Sequence, residues 1–234
     1  PLDGPLDLGA QFYIWEIATA LLGVRLGINP FDQPNVQAAK TLTASLLDAL
    51  GKGAAPAALD VHAQGEGFTL SFSKAARETL SSEGVSSSAG TALIRLLSRR
   101  EEGGYLALLP YLSPGGDYDA AIDGLRAALS RGGAAPVQMG YGPRYLHSTG
   151  QLHKGGPSGG LYLILTRRDH EPLAIPGAPY DFAQLISAQA AGDFQALDAE
   201  GRRAVFIQIQ GDAARTLRAV AAAITDAEAP LRLS

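Results

Sequence analysis

Apolar residues recur at helical spacing through the first fifty positions of the chain. Residues 11–26 are apolar on nearly all sides, with Glu16 and Arg25 as their only charged side chains. A helix with this pattern is expected to be buried on most sides. After a break rich in glycine and proline, residues 35–50 place Val36 and Ala39 on one face and predict a second helix.

From residue 57 onward the pattern changes to that of strands and helices in alternation. An alternating run over 59–72, interrupted by Gly65 and Gly67, predicts a β-hairpin. Strands separated by helices then predict an α/β fold, in which helices cover a mostly parallel sheet. Beyond the hairpin, the predicted strands are 105–112, 136–141, 160–166 and 204–210, and the predicted helices are 74–80, 87–98, 118–130, 182–190, 193–197 and 212–226.

Polar side chains are concentrated among glycines and prolines at 140–157, directly after a predicted strand. Ligands of parallel sheets bind at the carboxyl ends of strands, so this segment is expected to face a polar, anionic small molecule. A histidine there can transfer protons near neutral pH, and cationic or hydroxyl side chains suit a phosphate or a sugar hydroxyl. The candidates are Arg144, His147, Ser148, Thr149, Gln151, His153 and Lys154.

Other interpretations of this segment remain open. His147 and His153 could ligate zinc, but no nearby cysteine or carboxylate completes a ligand set. The glycine, lysine and hydroxyl order of a nucleotide-binding phosphate loop is absent. A polar surface loop without a ligand is the remaining alternative.

A second polar group lies at the start of the second helix. If that helix begins near Gln33, then Gln33, Gln37 and Lys40 share one face, with Lys40 about 10 Å further along the axis. The helix start also offers free N–H groups and a positive dipole end to an anion. The alternative is an ordinary amphipathic helix with solvated polar residues.

Composition narrows the classes of function. The 234 residues contain 19 basic and 23 acidic side chains, giving a formal net charge of −4, and no basic run indicates a nucleic-acid surface. Cysteine is absent, which excludes disulfides and thiolate chemistry and suits a cytoplasmic protein. No apolar run reaches the roughly 18 residues that a membrane span needs, so no membrane partner is expected.

Several stretches resemble a known enzyme family, including Phe-Asp-Gln-Pro at 31–34 and His-Ser-Thr-Gly-Gln-Leu-His-Lys-Gly-Gly-Pro at 147–157. The chain resembles glucose-6-phosphate isomerase, and more narrowly the isomerase half of bacterial bifunctional transaldolase/glucose-6-phosphate isomerase proteins. The full set of matching stretches is 15–20, 27–40, 146–157, 175–177, 188–193 and 201–203.

The resemblance implies an activity and residue roles. The family interconverts glucose 6-phosphate and fructose 6-phosphate through a cis-enediol, with no metal or organic cofactor, and usually assembles as a dimer. Gln33 resembles the glutamine near the sugar phosphate, and Lys40 resembles the lysine that assists ring opening. The family's Gly-Gln-His segment should fall near 9–11, where no histidine occurs. We therefore expect His147 or His153 to supply the ring-opening imidazole.

Two family features are missing from the chain: the Glu-Ser-x-Gly-Lys-like motif of the general base and the serine/threonine phosphate loop. Both would be expected in an upstream segment of the same polypeptide. We therefore expect a C-terminal portion of the isomerase, inactive or nearly so in isolation. Residues 1–56 would complete a sugar isomerase domain, and 57–234 would form an α/β domain with a ligand loop at 140–160. The alternatives are a non-catalytic sugar-phosphate-binding module and an oligomerisation domain.

Overall fold

A computed structural model describes residues 4–52, 59–80, 86–99, 101–115, 117–131, 135–169 and 172–228. The polypeptide divides into a first unit, Pro1–Pro34, and a second unit, Asn35–Ser234. The boundary expected near residue 56 lies outside the described residues, whereas the observed division falls at the start of the second helix, between Pro34 and Asn35. The functional roles expected of the two segments remain predictions.

The first unit consists mainly of helix α1, Pro5–Leu26. The helix ends at Gly27, whose φ of 67° is readily adopted only by a residue without a side chain. Its large apolar side chains are exposed, with 61% of Phe12 and 68% of Trp15 accessible. The burial expected on most sides is not found within this unit. An apolar pattern shows that a surface is suited to burial, but it does not show what supplies the cover.

The second unit alternates helices and strands. A short 3-10 turn, Arg144–His147, lies between the fourth strand and the sixth helix. The further helices are α2 Pro34–Gly51, α3 Lys74–Leu80, α4 Ala89–Ser98, α5 Asp117–Ser130, α6 Gly150–Gly155, α7 Phe182–Ala199 and α8 Ala213–Glu228, and the strands are β1 Ala63–Gly65, β2 Phe68–Phe72, β3 Tyr105–Pro110, β4 Val137–Met139, β5 Gly160–Arg167 and β6 Arg203–Ile209.

These six strands form one sheet in the order β1-β2-β6-β5-β3-β4. Strands β6, β5, β3 and β4 run parallel, while the β1–β2 hairpin is joined to β6 in antiparallel fashion. The predicted α/β class, the hairpin and the mostly parallel sheet are confirmed. Strand β4 is shorter than predicted, and the two helices expected at 182–190 and 193–197 form the single helix α7.

Two apolar layers lie on opposite faces of the sheet. Leu161, Leu163 and Leu165 of β5 belong to the first layer, which also contains residues of α4, α5 and α8. Tyr162 and Ile164 belong to the second layer, with residues of α7 and Tyr145 of the 3-10 turn. This alternation is the side-chain period of a strand that is covered on both faces. The 3-10 turn is consequently packed on the second face, directly after β4.

Glycine at position 192 allows α7 to run close to α2. A Cβ atom at Gly192 would lie 2.6 Å from Thr43 Oγ1 and 3.0 Å from the Thr43 backbone nitrogen. Those separations are too short for any side chain, so the helix pair requires glycine at this position. No helix in the described part of the chain is both long and apolar enough to cross a membrane.

Candidate functional site

A surface cavity of about 330 Å³ opens beside β4 and the 3-10 turn. Its volume is at the lower end of the range typical of small-molecule sites. Arg144, Ser148 and Thr149, three of the residues predicted from sequence, line it together. The other lining residues are Gln138, Met139, Gly140, Tyr141 and Tyr145.

Arg144 supplies the positive charge of the cavity. Its guanidinium carbon lies 5.7 Å from the centre of the Tyr141 ring. It forms no ion pair with another described residue, so its N–H groups are free to bind an anion. The Tyr141 hydroxyl donates to Asp119 Oδ1 at 2.7 Å. Burial and this carboxylate raise the pKa of Tyr141 to about 12, which keeps the hydroxyl protonated at neutral pH.

The two hydroxyls of the cavity are held in different ways. Ser148 donates from Oγ to the carbonyl oxygen of Tyr145 at 3.2 Å. Thr149 places its Oγ1 3.1 Å from Nε2 of His153. One hydroxyl is therefore held by the backbone of the 3-10 turn, and the other is held by a side chain beneath the cavity.

His153 lies in the interior, with none of its surface exposed. Its Nδ1 is 2.9 Å from the Tyr105 hydroxyl, and its ring lies 5.3 Å from that of Tyr162, centre to centre. Burial and the adjacent Lys154 charge lower its pKa to about 4, so the imidazole is neutral at physiological pH. Both ring nitrogens already have partners, and any effect of His153 on a ligand must pass through Thr149.

Lys154 is also buried, and it forms an ion pair with Asp193 of α7 in which neither side chain is exposed. The ammonium lies 5.9 Å from the centre of the Tyr145 ring. Desolvation lowers the pKa of Lys154 and raises the pKa of Asp193. Lys154 was expected to bind substrate, but the structure places it against Asp193 in the core.

Sequence reasoning did not identify Asp193, although a usable signal was present. A carboxylate among Ala190, Ala191 and Phe194 on a helix predicts a buried partner, because an unpaired buried charge is very costly. The aromatic partners Tyr105 and Tyr162 gave no such signal. The pattern around both tyrosines predicts only that they belong to covered strands.

Gln151 connects α6 to the beginning of α2. Its Nε2 donates to Asn35 Oδ1 at 2.7 Å, and its Oε1 accepts from the Asn35 backbone N–H at 3.2 Å. Asn35 also donates from Nδ2 to Glu200 Oε1 at 2.7 Å. Gln151 was expected to bind substrate, but these bonds engage it in fixing the first turn of α2.

The remaining candidates are exposed. Lys40 on α2 and His147 on the 3-10 turn form no side-chain hydrogen bond or ion pair with another described residue, and neither lines the cavity. Gln33 is exposed in the first unit. The roles expected of these three residues remain predictions.

A metal centre finds no support in the described residues. They contain no group of three or more histidine, aspartate or glutamate side chains placed to hold a metal ion. The zinc alternative also required both His147 and His153 as ligands, and His153 uses both of its nitrogens within the core.

Comparison with known proteins gives a partial relationship. No family model matches the chain. Over 56 residues it is 46% identical to a glucose-6-phosphate isomerase of Exiguobacterium sibiricum, and this match covers 24% of the chain and 12% of that enzyme. A hypothetical protein of Thermus thermophilus has a similar structure with a TM-score of 0.48 at 15% identity, covering 65% of this chain and 43% of that one. The chain thus spans only a small part of its curated relative, and that local identity supports a sugar isomerase-like relationship.

Proposed function

We propose that this chain is the C-terminal portion of a glucose-6-phosphate isomerase and contributes substrate-binding and ring-opening groups. The observation that carries the proposal is the 46% identity over 56 residues to an enzyme of that name. Its reaction would interconvert glucose 6-phosphate and fructose 6-phosphate. The narrower kinship with transaldolase fusion proteins rests on the sequence motifs alone.

The cavity beside β4 suits the phosphorylated end of such a substrate. Arg144 offers a guanidinium that pairs with no described carboxylate, and Ser148 and Thr149 also line the cavity with their hydroxyl-bearing side chains. Charge-assisted hydrogen bonds of this kind are the strong ones in anion recognition. We assign a phosphate contact to Arg144 and Thr149, in addition to the serine/threonine phosphate loop expected in the upstream segment.

Ring opening requires groups that move protons at the sugar ring. Lys40 is available for this because it is exposed on α2, whose first turn the Asn35–Gln151 bonds fix next to α6. Lys40 follows Asn35 by five residues, about 7.5 Å along the helix axis. Of the two candidate histidines only His147 has an exposed ring, and the proposal therefore assigns the imidazole role to His147.

Proton transfer between C2 and C1 also requires a general base. Among the described residues, those lining the cavity include no carboxylate. The proposal places the catalytic glutamate in an upstream segment of the same polypeptide. The isolated chain is then a binding half without turnover.

The lack of a carboxylate among the described lining residues favours one alternative, a non-catalytic sugar-phosphate-binding module. Such a module would bind the phosphorylated sugar in this cavity, and no other segment would supply a general base. The two functions predict identical binding by the isolated chain. They differ only in turnover by a longer polypeptide.

Calorimetric titration of the chain with fructose 6-phosphate, fructose and inorganic phosphate tests the binding. We expect fructose 6-phosphate and phosphate to bind and fructose not to bind. Arg144→Ala should weaken phosphate binding by about tenfold or more. Arg218→Ala is the matched control, since Arg218 is exposed on α8 and distant in sequence from the cavity residues. Failure of the wild-type chain to bind either phosphate compound would overturn the proposal.

Turnover distinguishes the enzyme from the binding module. We expect no isomerase activity from the isolated chain and full activity from a longer protein that contains this chain and the upstream segment. His147→Gln and Lys40→Met, made in that longer protein, should lower kcat. Binding without turnover by the longer protein would establish the non-catalytic alternative instead.

A further inference from the structure

Four hydrogen-bonding groups form a continuous line from the core to the cavity. The Tyr162 and Tyr105 hydroxyls are 2.9 Å apart, and the Tyr105 hydroxyl is 2.9 Å from His153 Nδ1. On the other side of the ring, His153 Nε2 is 3.1 Å from Thr149 Oγ1. Tyr162 and His153 are completely buried, whereas Thr149 lines the cavity.

Burial at the inner end fixes the direction of these bonds. Tyr105 is the only hydrogen-bond partner of the Tyr162 hydroxyl among the described residues. If Tyr105 donated to Tyr162, the Tyr162 proton would have no acceptor among the described residues, and a buried donor without an acceptor is unfavourable. Tyr162 therefore donates to Tyr105. The Tyr105 proton is then directed to Nδ1 of His153.

The imidazole passes this direction outward. Because burial and Lys154 lower the pKa of His153 to about 4, the neutral ring carries one proton. Nδ1 accepts from Tyr105, so the proton resides on Nε2 and is donated to Thr149 Oγ1. The pKa values of the tyrosines agree with this order: burial raises the pKa of both, the bond to Tyr105 raises the pKa of Tyr162 further, and the same bond acts to lower the pKa of Tyr105.

Thr149 is thereby left with one proton and no acceptor within the described residues. Its hydroxyl already accepts from His153, so that proton is available only to the cavity. Ser148 differs, because its proton is engaged with the Tyr145 carbonyl and its free lone pairs can accept. The two neighbouring hydroxyls thus offer one donor and one acceptor.

We propose that Thr149 is a fixed hydrogen-bond donor of the cavity and that His153 is the positioning residue that fixes it through the Nε2–H tautomer. The ligand class that matches is a phosphate monoester of a polyol, with a phosphate oxygen at Thr149 and Arg144 and a ligand hydroxyl donating to Ser148. This inference deepens the proposed function, and its assignment of the ligand rests on that function. Because His153 is buried, it does not act on the ligand as a direct acid or base, and its role here is to orient the Thr149 hydroxyl.

Nitrogen-15 NMR of the labelled chain at pH 7 tests the proton arrangement without any ligand. The His153 signals are assigned by their loss in His153→Gln. We expect the neutral Nε2–H tautomer in the wild-type chain. Tyr105→Phe removes the donor to Nδ1 and should allow the Nδ1–H tautomer to appear. Tyr111→Phe, a buried tyrosine of the same apolar layer, should leave the tautomer unchanged.

Observation of the Nδ1–H tautomer or of an imidazolium in the wild-type chain would overturn the inference. So would a Tyr105→Phe chain whose tautomer matches that of the wild type.

Titration with inorganic phosphate tests the donor at Thr149. Thr149→Val should weaken phosphate binding by about tenfold, whereas Thr149→Ser keeps the hydroxyl and should retain most of the affinity. Tyr105→Phe should weaken binding severalfold, and Tyr111→Phe should not. Wild-type affinity in Thr149→Val would overturn the ligand assignment. If the wild-type chain binds no phosphate at all, the proposed function fails with it, while the NMR result decides the proton arrangement independently.

Discussion

Gln151 and Asn35 form two hydrogen bonds with each other although 116 residues separate them in sequence. The bonds fix the first turn of α2 to α6, the helix that directly follows the cavity turn. A Cβ atom at Gly150 would lie 3.3 Å from Val36 of α2, which shows how closely the two segments pack. The early helix and the glycine-rich segment, both selected from sequence, therefore meet in the fold.

Removing either partner of this contact should destabilise the second unit. We expect Gln151→Ala and Asn35→Ala each to cost about 1–2 kcal/mol, because each leaves partly buried polar groups without partners. Asn35→Ala should cost more, since it also loses the bond to Glu200. Urea unfolding of both single variants and the double variant measures the coupling. The double variant should lose less than the sum of the singles.

Gln37→Ala is the control for that cycle, because Gln37 is exposed on the same helix. It should change the free energy of unfolding by less than about 0.5 kcal/mol. Strict additivity of the two single substitutions would contradict the contact.

The buried imidazole should make the chain sensitive to acid. The pKa of His153 is lowered from 6.5 to about 4, so between these values the unfolded chain binds a proton that the folded chain excludes. Stability should therefore fall as pH decreases from about 6.5 to 4, by up to about 3 kcal/mol from this residue. Unfolding free energies of wild type and His153→Gln, measured at several pH values, should show a shallower decline in the variant.

His147→Gln provides the comparison, since His147 is exposed and lies six residues earlier. The decline with pH should be the same in this variant as in the wild type. Parallel curves for wild type and His153→Gln would refute the assignment of this sensitivity to His153.

Removing one member of the Lys154–Asp193 pair should destabilise the fold more than replacing both members by apolar residues. Lys154→Met leaves an uncompensated buried carboxylate and should cost about 3–5 kcal/mol, and Asp193→Leu should cost a similar amount. The double variant should recover much of that loss because it removes both charges together. Denaturant unfolding of the three variants gives the coupling energy.

An exposed pair on α2 supplies the contrast. Lys52 Nζ lies 2.6 Å from Asp48 Oδ2, but 74% and 65% of these side chains are exposed. Lys52→Met should cost at most about 0.5 kcal/mol, since water and salt screen such pairs. A similar cost for Lys154→Met would mean that its ion pair is not buried.

Gly192 should not tolerate a methyl group. Its Cβ would approach the backbone of Thr43, so Gly192→Ala should separate α7 from α2 and cost about 1–3 kcal/mol. Gly124→Ala is the matched control within helix α5, where a Cβ atom meets nothing within 4 Å. That change should be neutral or stabilise the chain by about 0.5–1 kcal/mol. Thermal unfolding of both variants distinguishes a helix contact from a propensity effect, and equal shifts would argue against the contact.

The periodicity of apolar residues was sufficient to predict most of the secondary structure and the α/β class. Strands such as β5 and β6 are continuously apolar because both of their faces are covered, and this local property is visible in the sequence. The hairpin followed in the same way from alternation around Gly65 and Gly67. Six residues of the segment at 140–157 line the cavity, and three of them, Arg144, Ser148 and Thr149, are candidates predicted from the sequence.

The sequence determined the fold class and the segment of interest, because periodicity and turn chemistry act over a few neighbouring residues. Only the tertiary structure decided which polar groups of that segment face the cavity and which face the core. His153 and Lys154 look like their neighbours in sequence, and their burial depends on Tyr105, Tyr162 and Asp193, which lie about 10 to 50 residues away along the chain. The exposure of α1 within its unit could not be predicted from sequence either, because an apolar helix indicates that its surface is suited to burial but not what covers it.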